Sequence, residues 1–411
     1  MNASRPVSRN PHNEQQRPLV LEGREVGRIT GRNAGPTLIV VAGIHGNEPA
    51  GIFAARRVIE HLTRAEVAVC GELVVLAGNV ASLRLGRRYQ AKDLNRQWTE
   101  ALVASLRAKQ AKAAGPAGNA AASGNAGATG LDGEDREQAE LLGAIETAIS
   151  RARGPVHLAD FHTTSAAGIP FVLFGDTLAQ RQFVRVFPLP IIVGLEEQLD
   201  GALSEYWTRH GCVTFACEGG QHDDAAAVDN LAAVLYLALA EAGLIAFDAL
   251  PEVKEAERLL RERRGDLPPF LEVVSRHAIS EHDAFRMEPG FKNLNRASEG
   301  QLLARDRRGE IRAREDGMVI LPLYQGLGND GFFWGRKLSA ARMRGAEILR
   351  LLRVDRLLGL LPGVAKDPMH PSRYIVREVG KYYPRDVFHA FGYRRVRTRA
   401  GQLTLERQPE S

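Results

Sequence analysis

Over residues 18–245 the chain alternates between uninterrupted apolar runs and stretches with helical periodicity. Thr37 to Ile44 (TLIVVAGI), Glu72 to Ala77 (ELVVLA), Val156 to Phe161 (VHLADF) and Val213 to Cys217 (VTFAC) are runs of the first kind. An apolar run without alternation marks a strand covered on both faces, as parallel sheets require. After the first run, Pro49 suits the opening turn of a helix that places Ile52, Ala55, Ile59 and Leu62 on one face. A long apolar helix is expected from Ala225 to Ala242, with Asp224 as its cap and Gly243 as its stop. Strand and helix in alternation predict an α/β fold. Ahead of it, Leu19 to Thr30 reads as a hairpin around Glu22, Gly23 and Arg24.

The remaining segments have other patterns. Residues 1–17 are polar and proline-punctuated, which suits a loose arm. Of the 20 residues from Ala111 to Gly130, 14 are Ala or Gly, so a flexible insertion is expected over about 107–133. A charged helix, Pro251 to Arg264, lies within a linker, 246–269, that ends at Pro268 and Pro269. Residues 270–335 contain short strands and DRRGE and REDGM turns, the pattern of a smaller β-rich domain. A leucine- and arginine-rich helix from Leu338 to Leu361 and a hairpin around Ala400 and Gly401 are expected in the last segment, 336–411.

The 411 residues, 44% apolar and 25% charged, exclude a disordered or fibrous chain. The net charge of +5 is uneven, because residues 336–411 hold 17 basic and 7 acidic side chains. This last segment is a basic extension, whose charge could meet an anionic surface or simply face solvent. Three cysteines imply no disulfide framework. No secretory signal or apolar stretch of spanning length is present, so the expectation is a cytoplasmic protein without a transmembrane segment. No nucleic-acid motif or aromatic platform appears, and no nucleic-acid partner is expected.

The unusual polar residues fall where the apolar runs end. His45 and Glu48 follow the first run, His162 follows VHLADF and Glu218 follows VTFAC. Ligands bind at the carboxyl ends of strands in open α/β sheets, so these side chains can converge on one cleft. Two imidazoles and a carboxylate, His45, Glu48 and His162, suit a catalytic zinc site that leaves one position for water; other divalent ions accept the same donors. The stretch RYQAKDLNRQW adds Arg88, Asn95 and Arg96. An Asn-Arg pair can clasp a carboxylate while a separate Arg polarises a carbonyl; a solvated loop with an Asp-Arg pair would show the same residues. Asp160 lies two positions before His162, on the same side of the strand, where it could orient that ligand. Cys217 should point away from Glu218, and His222 is a loop residue near the cleft.

Taken together, AGIHGNEPAG, RYQAKDLNRQW, ADFHTTS and ACEGGQ in this order resemble the succinylglutamate desuccinylase and aspartoacylase family of the zinc-carboxypeptidase superfamily. The resemblance covers residues 18–245 and a β-rich domain after them. It implies a zinc-carboxypeptidase-like mixed sheet flanked by helices, one zinc ion per chain, and hydrolysis of an amide in an N-acyl amino acid or related carboxylate-bearing small molecule. His45, Glu48 and His162 match the zinc ligands and Glu218 the catalytic glutamate. Arg88 matches the arginine on the scissile carbonyl, and Asn95 with Arg96 the pair on the substrate carboxylate. The insertion and the last 75 or so residues have no counterpart in that pattern. A metallocarboxypeptidase acting on short peptides, or a non-catalytic ligand-binding member, would carry the same residues. A homo-oligomer is compatible with all of these.

Overall fold

A computed structural model describes residues 19–114, 131–325, 328–370, 372–377, 385–399 and 402–407. The polar arm and most of the Ala/Gly-rich stretch lie outside the described residues. In chain order, the first elements are β1 (Glu25–Thr30), β2 (Asn33–Ala42), α1 (Ala50–Arg64), β3 (Cys70–Ala77), α2 (Val80–Leu85), α3 (Glu100–Ala114) and α4 (Gly133–Arg151). They are followed by β4 (Val156–Thr164), β5 (Phe171–Phe174), α5 (Leu178–Phe183), β6 (Ile191–Val193), α6 (Leu203–Arg209), β7 (Val213–Gln221), α7 (Ala226–Glu241) and α8 (Pro251–Arg264). The later strands are β8 (Phe270–Ala278), β9 (Arg286–Met287), β10 (Asn295–Ala297), β11 (Leu302–Asp306), β12 (Gly309–Arg312), β13 (Gly317–Ile320) and β14 (Asp330–Lys337). The last segment holds α9 (Ala340–Leu351), β15 (Val364–Lys366), β16 (Arg373–Val376), α10 (Arg385–Ala390), β17 (Arg395–Arg399) and β18 (Gln402–Glu406).

Eleven strands make one mixed sheet in the order β1-β3-β2-β4-β7-β5-β6-β8-β14-β13-β10. The four long apolar runs are its parallel centre, β3, β2, β4 and β7. Alternate residues of these strands enter two cores. Val40, Ala42, Ala159, Phe161, Phe215 and Cys217 pack with α1, α7 and α8 on one face. Ile39, Val41 and Leu158 pack with α4 and α6 on the other. Burial on both faces is why these strands read as unbroken apolar runs.

Strands β8, β14, β13 and β10 continue the same sheet, while β9, β11 and β12 form a separate three-stranded one. Strands β15 to β18 form a four-stranded antiparallel sheet over its own core of Leu358, Val364, Tyr374, Val376, Phe388, Tyr393 and Leu405. The expected terminal hairpin is present, with Arg399 opposite Gln402.

Three local expectations are corrected. Leu19 to Thr30 is not a hairpin: the strand begins at Glu25 and pairs antiparallel with β3. Arg24 instead turns inward, donating to the carbonyls of Ala77 and Gly78 and to Glu137. The helix expected from Leu338 to Leu361 breaks at Arg353, which has φ +53°, into α9 and a 3-10 helix, Val354–Leu360. The insertion expected from 107 begins later, since α3 continues to Ala114, while α4 starts at Gly133, at the far bound expected. Asp224 does accept the Ala226 N–H at 2.9 Å, although the residue at the cap position is Ala225.

The last segment is joined to the main sheet by buried ion pairs. Asp176, just after β5, accepts from Arg181 Nε at 2.5 Å and Arg394 Nε at 2.7 Å, and Arg350 Nη1 lies 3.5 Å away. Glu272, on β8, accepts from Arg394 Nη1 at 2.9 Å and Arg336 Nη2 at 2.8 Å, and meets His389 Nδ1 at 3.1 Å. Burial alone would raise the Asp176 pKa, but the guanidiniums of Arg181, Arg394 and Arg350 outweigh it and hold it well below the usual carboxylate range. Such a group stabilises the fold above its unfolded pKa, about 4, and the contribution fades as pH falls below that value. Asp176→Ala takes the shared carboxylate away from three buried guanidiniums, so we expect a loss of about 3–5 kcal/mol at neutral pH. Urea unfolding should show this loss, and the gap between wild type and variant should narrow on acidification.

Candidate active site

The chain reverses sharply after β2 to deliver two of the candidate ligands. Gly43 has φ +70°, and at Gly46 a Cβ would lie 2.1 Å from the Ser82 carbonyl carbon, so no larger residue fits that approach. The Gly46 N–H donates to the Arg88 carbonyl at 3.1 Å, which fixes the β2 turn against the loop carrying Arg88. Two residues along the turn from His45, Asn47 leads to Glu48, whose N–H bonds back to the His45 carbonyl at 3.1 Å. The third candidate, His162, comes from β4, which lies beside β2.

His45, Glu48 and His162 are buried together, with one potential ligand atom from each lying within 4.8 Å of the others. Glu48 Oε1 lies 2.9 Å from His45 Nδ1, and Oε2 lies 3.0 Å from His162 Nδ1. The opposite ring nitrogens are also held by carboxylates. His45 Nε2 lies 3.0 Å from Asp93 Oδ1, and His162 Nε2 lies 3.0 Å from Asp160 Oδ2. With a carboxylate accepting each Nε2–H, loss of the Nδ1 proton to an incoming ion would leave the Nδ1 lone pair facing the centre, the tautomer a metal ligand needs. The donor set and its backing therefore fit a divalent ion such as zinc. Burial disfavours the Glu48 charge, yet His45 and His162 outweigh it and hold its pKa well below the usual range. Burial likewise opposes a charged His162, but Asp160 and Glu48 prevail and raise its pKa well above the ordinary value.

Glu218 on β7 pairs in register with His162 on β4, so both side chains leave the sheet on the same side. Burial pushes the Glu218 carboxyl up to about 8, helped by Glu48 and Asp160 and opposed by His162 and Arg88. Cys217 points to the opposite face, where burial raises its thiol pKa. Arg88 donates from Nη2 to Asp93 Oδ2 at 3.0 Å and from Nη1 to Glu48 Oε1 at 3.3 Å. Three buried atoms lining this cleft, Arg88 Nε, Asp160 Oδ1 and Glu218 Oε2, have no hydrogen-bond partner among the described residues. Buried polar atoms are normally satisfied, and such a cluster marks a place where a ligand or water completes the bonding.

All seven sequence-derived residues line one cleft. Asn95 is more committed than its sequence position suggested: its Oδ1 accepts the Leu203 N–H at 2.8 Å, and its Nδ2 lies 3.3 Å from His162 Nε2. Arg96 donates to the Asn95 carbonyl at 2.8 Å and to Asp330 at 3.3 Å. His222 also lines the cleft, with Nδ1 2.8 Å from the Thr163 hydroxyl, and burial lowers its pKa. The sequence reading missed Asp93, although its place two residues before Asn95 in the same loop was visible. It also missed Asp330 and Glu196, which enter the cleft from segments without a motif. Glu134, on α4, went unnoticed as the acceptor for the N–H groups of Gln90 and Ala91 at 2.7 and 3.1 Å.

The architecture is shared with solved structures. A succinylglutamate desuccinylase from Chromobacterium violaceum superposes with a TM-score of 0.50 at 17% identity, over 75% of this chain and 86% of that one. A product-bound ectoine utilization protein from Ruegeria pomeroyi gives a TM-score of 0.50 at 20% identity, over 75% and 88% of the two chains. At these identities the likeness concerns the fold. In sequence, residues 34–121 match the model of the succinylglutamate desuccinylase/aspartoacylase catalytic domain. A succinylglutamate desuccinylase of Erwinia tasmaniensis is 44% identical over 61 residues, 15% of this chain and 18% of the relative. One from Pseudomonas paraeruginosa is 38% identical over 72 residues, 18% of this chain and 22% of the relative. The matched segments thus span about a fifth of these relatives' length. Over these segments the chain is similar to the succinylglutamate desuccinylase/aspartoacylase family, and the fold agrees with that likeness. Among the described residues, no helix is long and apolar enough to cross a membrane.

Asp93→Asn and Asp160→Asn should each weaken zinc binding by about 10- to 100-fold, because each removes the carboxylate that fixes a histidine tautomer. Competition with a chromogenic chelator measures this, and unchanged affinity in both variants would dismiss the assigned tautomers.

Proposed function

We propose that the protein is a zinc-dependent hydrolase that cleaves the amide bond of an N-acyl amino acid or a related small, carboxylate-bearing amide. The observation that supports this reading is the buried His45, Glu48 and His162 set, with both imidazoles backed by carboxylates and Glu218 on the neighbouring strand. A divalent ion held by these three side chains would supply Lewis-acid polarisation and lower the pKa of water towards about 7.

The remaining chemistry belongs to the chain's own side chains. Glu218, with Oε2 unpartnered in the cleft, takes a proton from the attacking water. It then passes that proton to the leaving nitrogen, so the new carbon–oxygen bond replaces the carbon–nitrogen bond and a free amine and a carboxylic acid result. Burial favours this role because it raises the basicity of the carboxylate. Arg88 carries the charge that develops on the carbonyl oxygen, and Asp93 and Glu48 hold its guanidinium in place. Arg96, with the Asn95 amide beside it, clasps the substrate carboxylate.

Glu218→Gln should reduce turnover by about 100- to 10,000-fold while zinc remains bound. Arg88→Ala should reduce it by about 100- to 1,000-fold. Both are to be measured on N-acetyl, N-succinyl and dipeptide substrates, with metal content determined in parallel. Chelation should abolish activity and added zinc restore it. Turnover confined to dipeptides would replace this reading with a carboxypeptidase, and wild-type turnover in Glu218→Gln would remove Glu218 from the mechanism.

A further inference from the structure

The cleft beyond the candidate ligands is apolar on one side and acidic on the other. Leu173, Leu195, Ala216 and Phe333 form its wall, all buried in one core cluster, with Leu199 and Leu321 packed against them. Six carboxylates line the cleft, Glu48, Asp93, Asp160, Glu196, Glu218 and Asp330, against the two guanidiniums of Arg88 and Arg96. Both guanidiniums already face carboxylates: Arg88 is on Glu48 and Asp93, and Arg96 is on Asp330. Asp330 also takes the Nε–H of Arg276, so a single carboxylate from β14 binds two arginines at the edge of the cleft.

We propose that this cleft selects an amide with a short apolar acyl group and a single carboxylate elsewhere in the molecule. The inference rests on the deacylase reading above and narrows its substrate class. Arg96 keeps N–H groups for one substrate carboxylate, since guanidinium carries five donors. A second carboxylate, on the acyl group, finds no further guanidinium among the described lining residues. It would lie against Leu173, Leu195 and Phe333, where an unpaired charge is strongly disfavoured. An alkyl acyl group avoids that cost and gains from burial on the same wall. The cavity volume of about 170 Å³ is below the roughly 300–1,000 Å³ of most ligand pockets, which limits the acyl group to a few carbons.

N-butanoylalanine and N-succinylalanine test this directly, because their acyl chains have equal carbon number and differ by the terminal carboxylate. Affinities are measured by calorimetry on the full-length, zinc-loaded Glu218→Gln protein, in which cleavage does not intervene. The butanoyl compound should bind at least about tenfold more tightly, the scale set by a mismatched group in a shaped pocket. Equal or tighter binding of the succinyl compound overturns the proposal. Adding Asp330→Asn releases Arg96 and Arg276 and should move the affinity ratio at least about fivefold towards succinyl. An unmoved ratio in a variant with wild-type melting temperature would also overturn it. Turnover by the wild-type protein is scored separately: if it cleaves neither amide, the deacylase reading fails while the affinity ratio still decides the selectivity of the cleft.

Discussion

The carboxylate of Glu48 is the point on which the cleft is built. It is buried, and each of its oxygens has two partners. Oε1 meets His45 Nδ1 and Arg88 Nη1, and Oε2 meets His162 Nδ1 and the Thr163 N–H at 3.1 Å. Removing an ionised carboxylate from water is disfavoured by several kcal/mol unless such partners surround it. Here they come from the end of β2, the loop after α2 and the end of β4. The arrangement exists only while β2 and β4 keep their parallel register, with Val41 opposite Asp160 and Ala42 opposite Phe161. A slip by one residue would turn Phe161 towards the candidate ligands and His162 into the opposite core. The apolar residues that fill the two cores therefore also hold the chemistry in place.

The second constraint is the irregular stretch that carries Arg88, Asp93, Asn95 and Arg96. Only a 3-10 turn, Leu94–Arg96, gives it regular structure. Its backbone is held from outside, by Glu134 on the N–H groups of Gln90 and Ala91 and by Gln138 on the Gln97 carbonyl. Glu137 does the same for Val80 and Ala81 at the start of α2, and pairs with Arg24. One face of α4 thus serves as a row of acceptors and donors for the loop. The Ala/Gly-rich stretch falls in sequence between the loop and this helix. A connection of that length adds little closure entropy, which grows only slowly with the number of residues, so it can separate the two without weakening their contact.

How much of this was legible in the sequence follows from the range of the forces involved. The strand ends were visible because burial on both faces writes an unbroken apolar run, and His45, His162 and Glu218 each stand at the end of one. The order of four motifs added the family resemblance, and the roles proposed for Arg88, Asn95 and Arg96 came with it. Asp93 lay in the same quoted loop yet carried no signal of its own, since an Asp before an Asn-Arg pair is equally at home in a solvated turn. Glu134 and Gln138 look like ordinary polar residues of an amphipathic helix. The hairpin expected at Glu22 to Arg24 failed for the same reason: a local turn signal lost to a long-range one, the pairing of β1 with β3 and the capture of Arg24 by the Ala77 and Gly78 carbonyls.

The basic C-terminal segment shows how far a net charge can mislead. Its surplus of positive side chains suggested either an anionic partner or a solvated face, and some of that charge does neither. Arg350 and Arg394 are buried against Asp176 and Glu272 of the main sheet, where a formal count scores them as surface cations. Asp176 follows β5 and Glu272 lies on β8, and these strands flank β6. Leu173 on β5 and Leu195 just after β6 form part of the apolar wall of the cleft. The arginines of the last segment thus grip the back of strands whose front lines the cleft. A formal charge count cannot see this, because it does not distinguish a cation paired in the interior from one facing solvent.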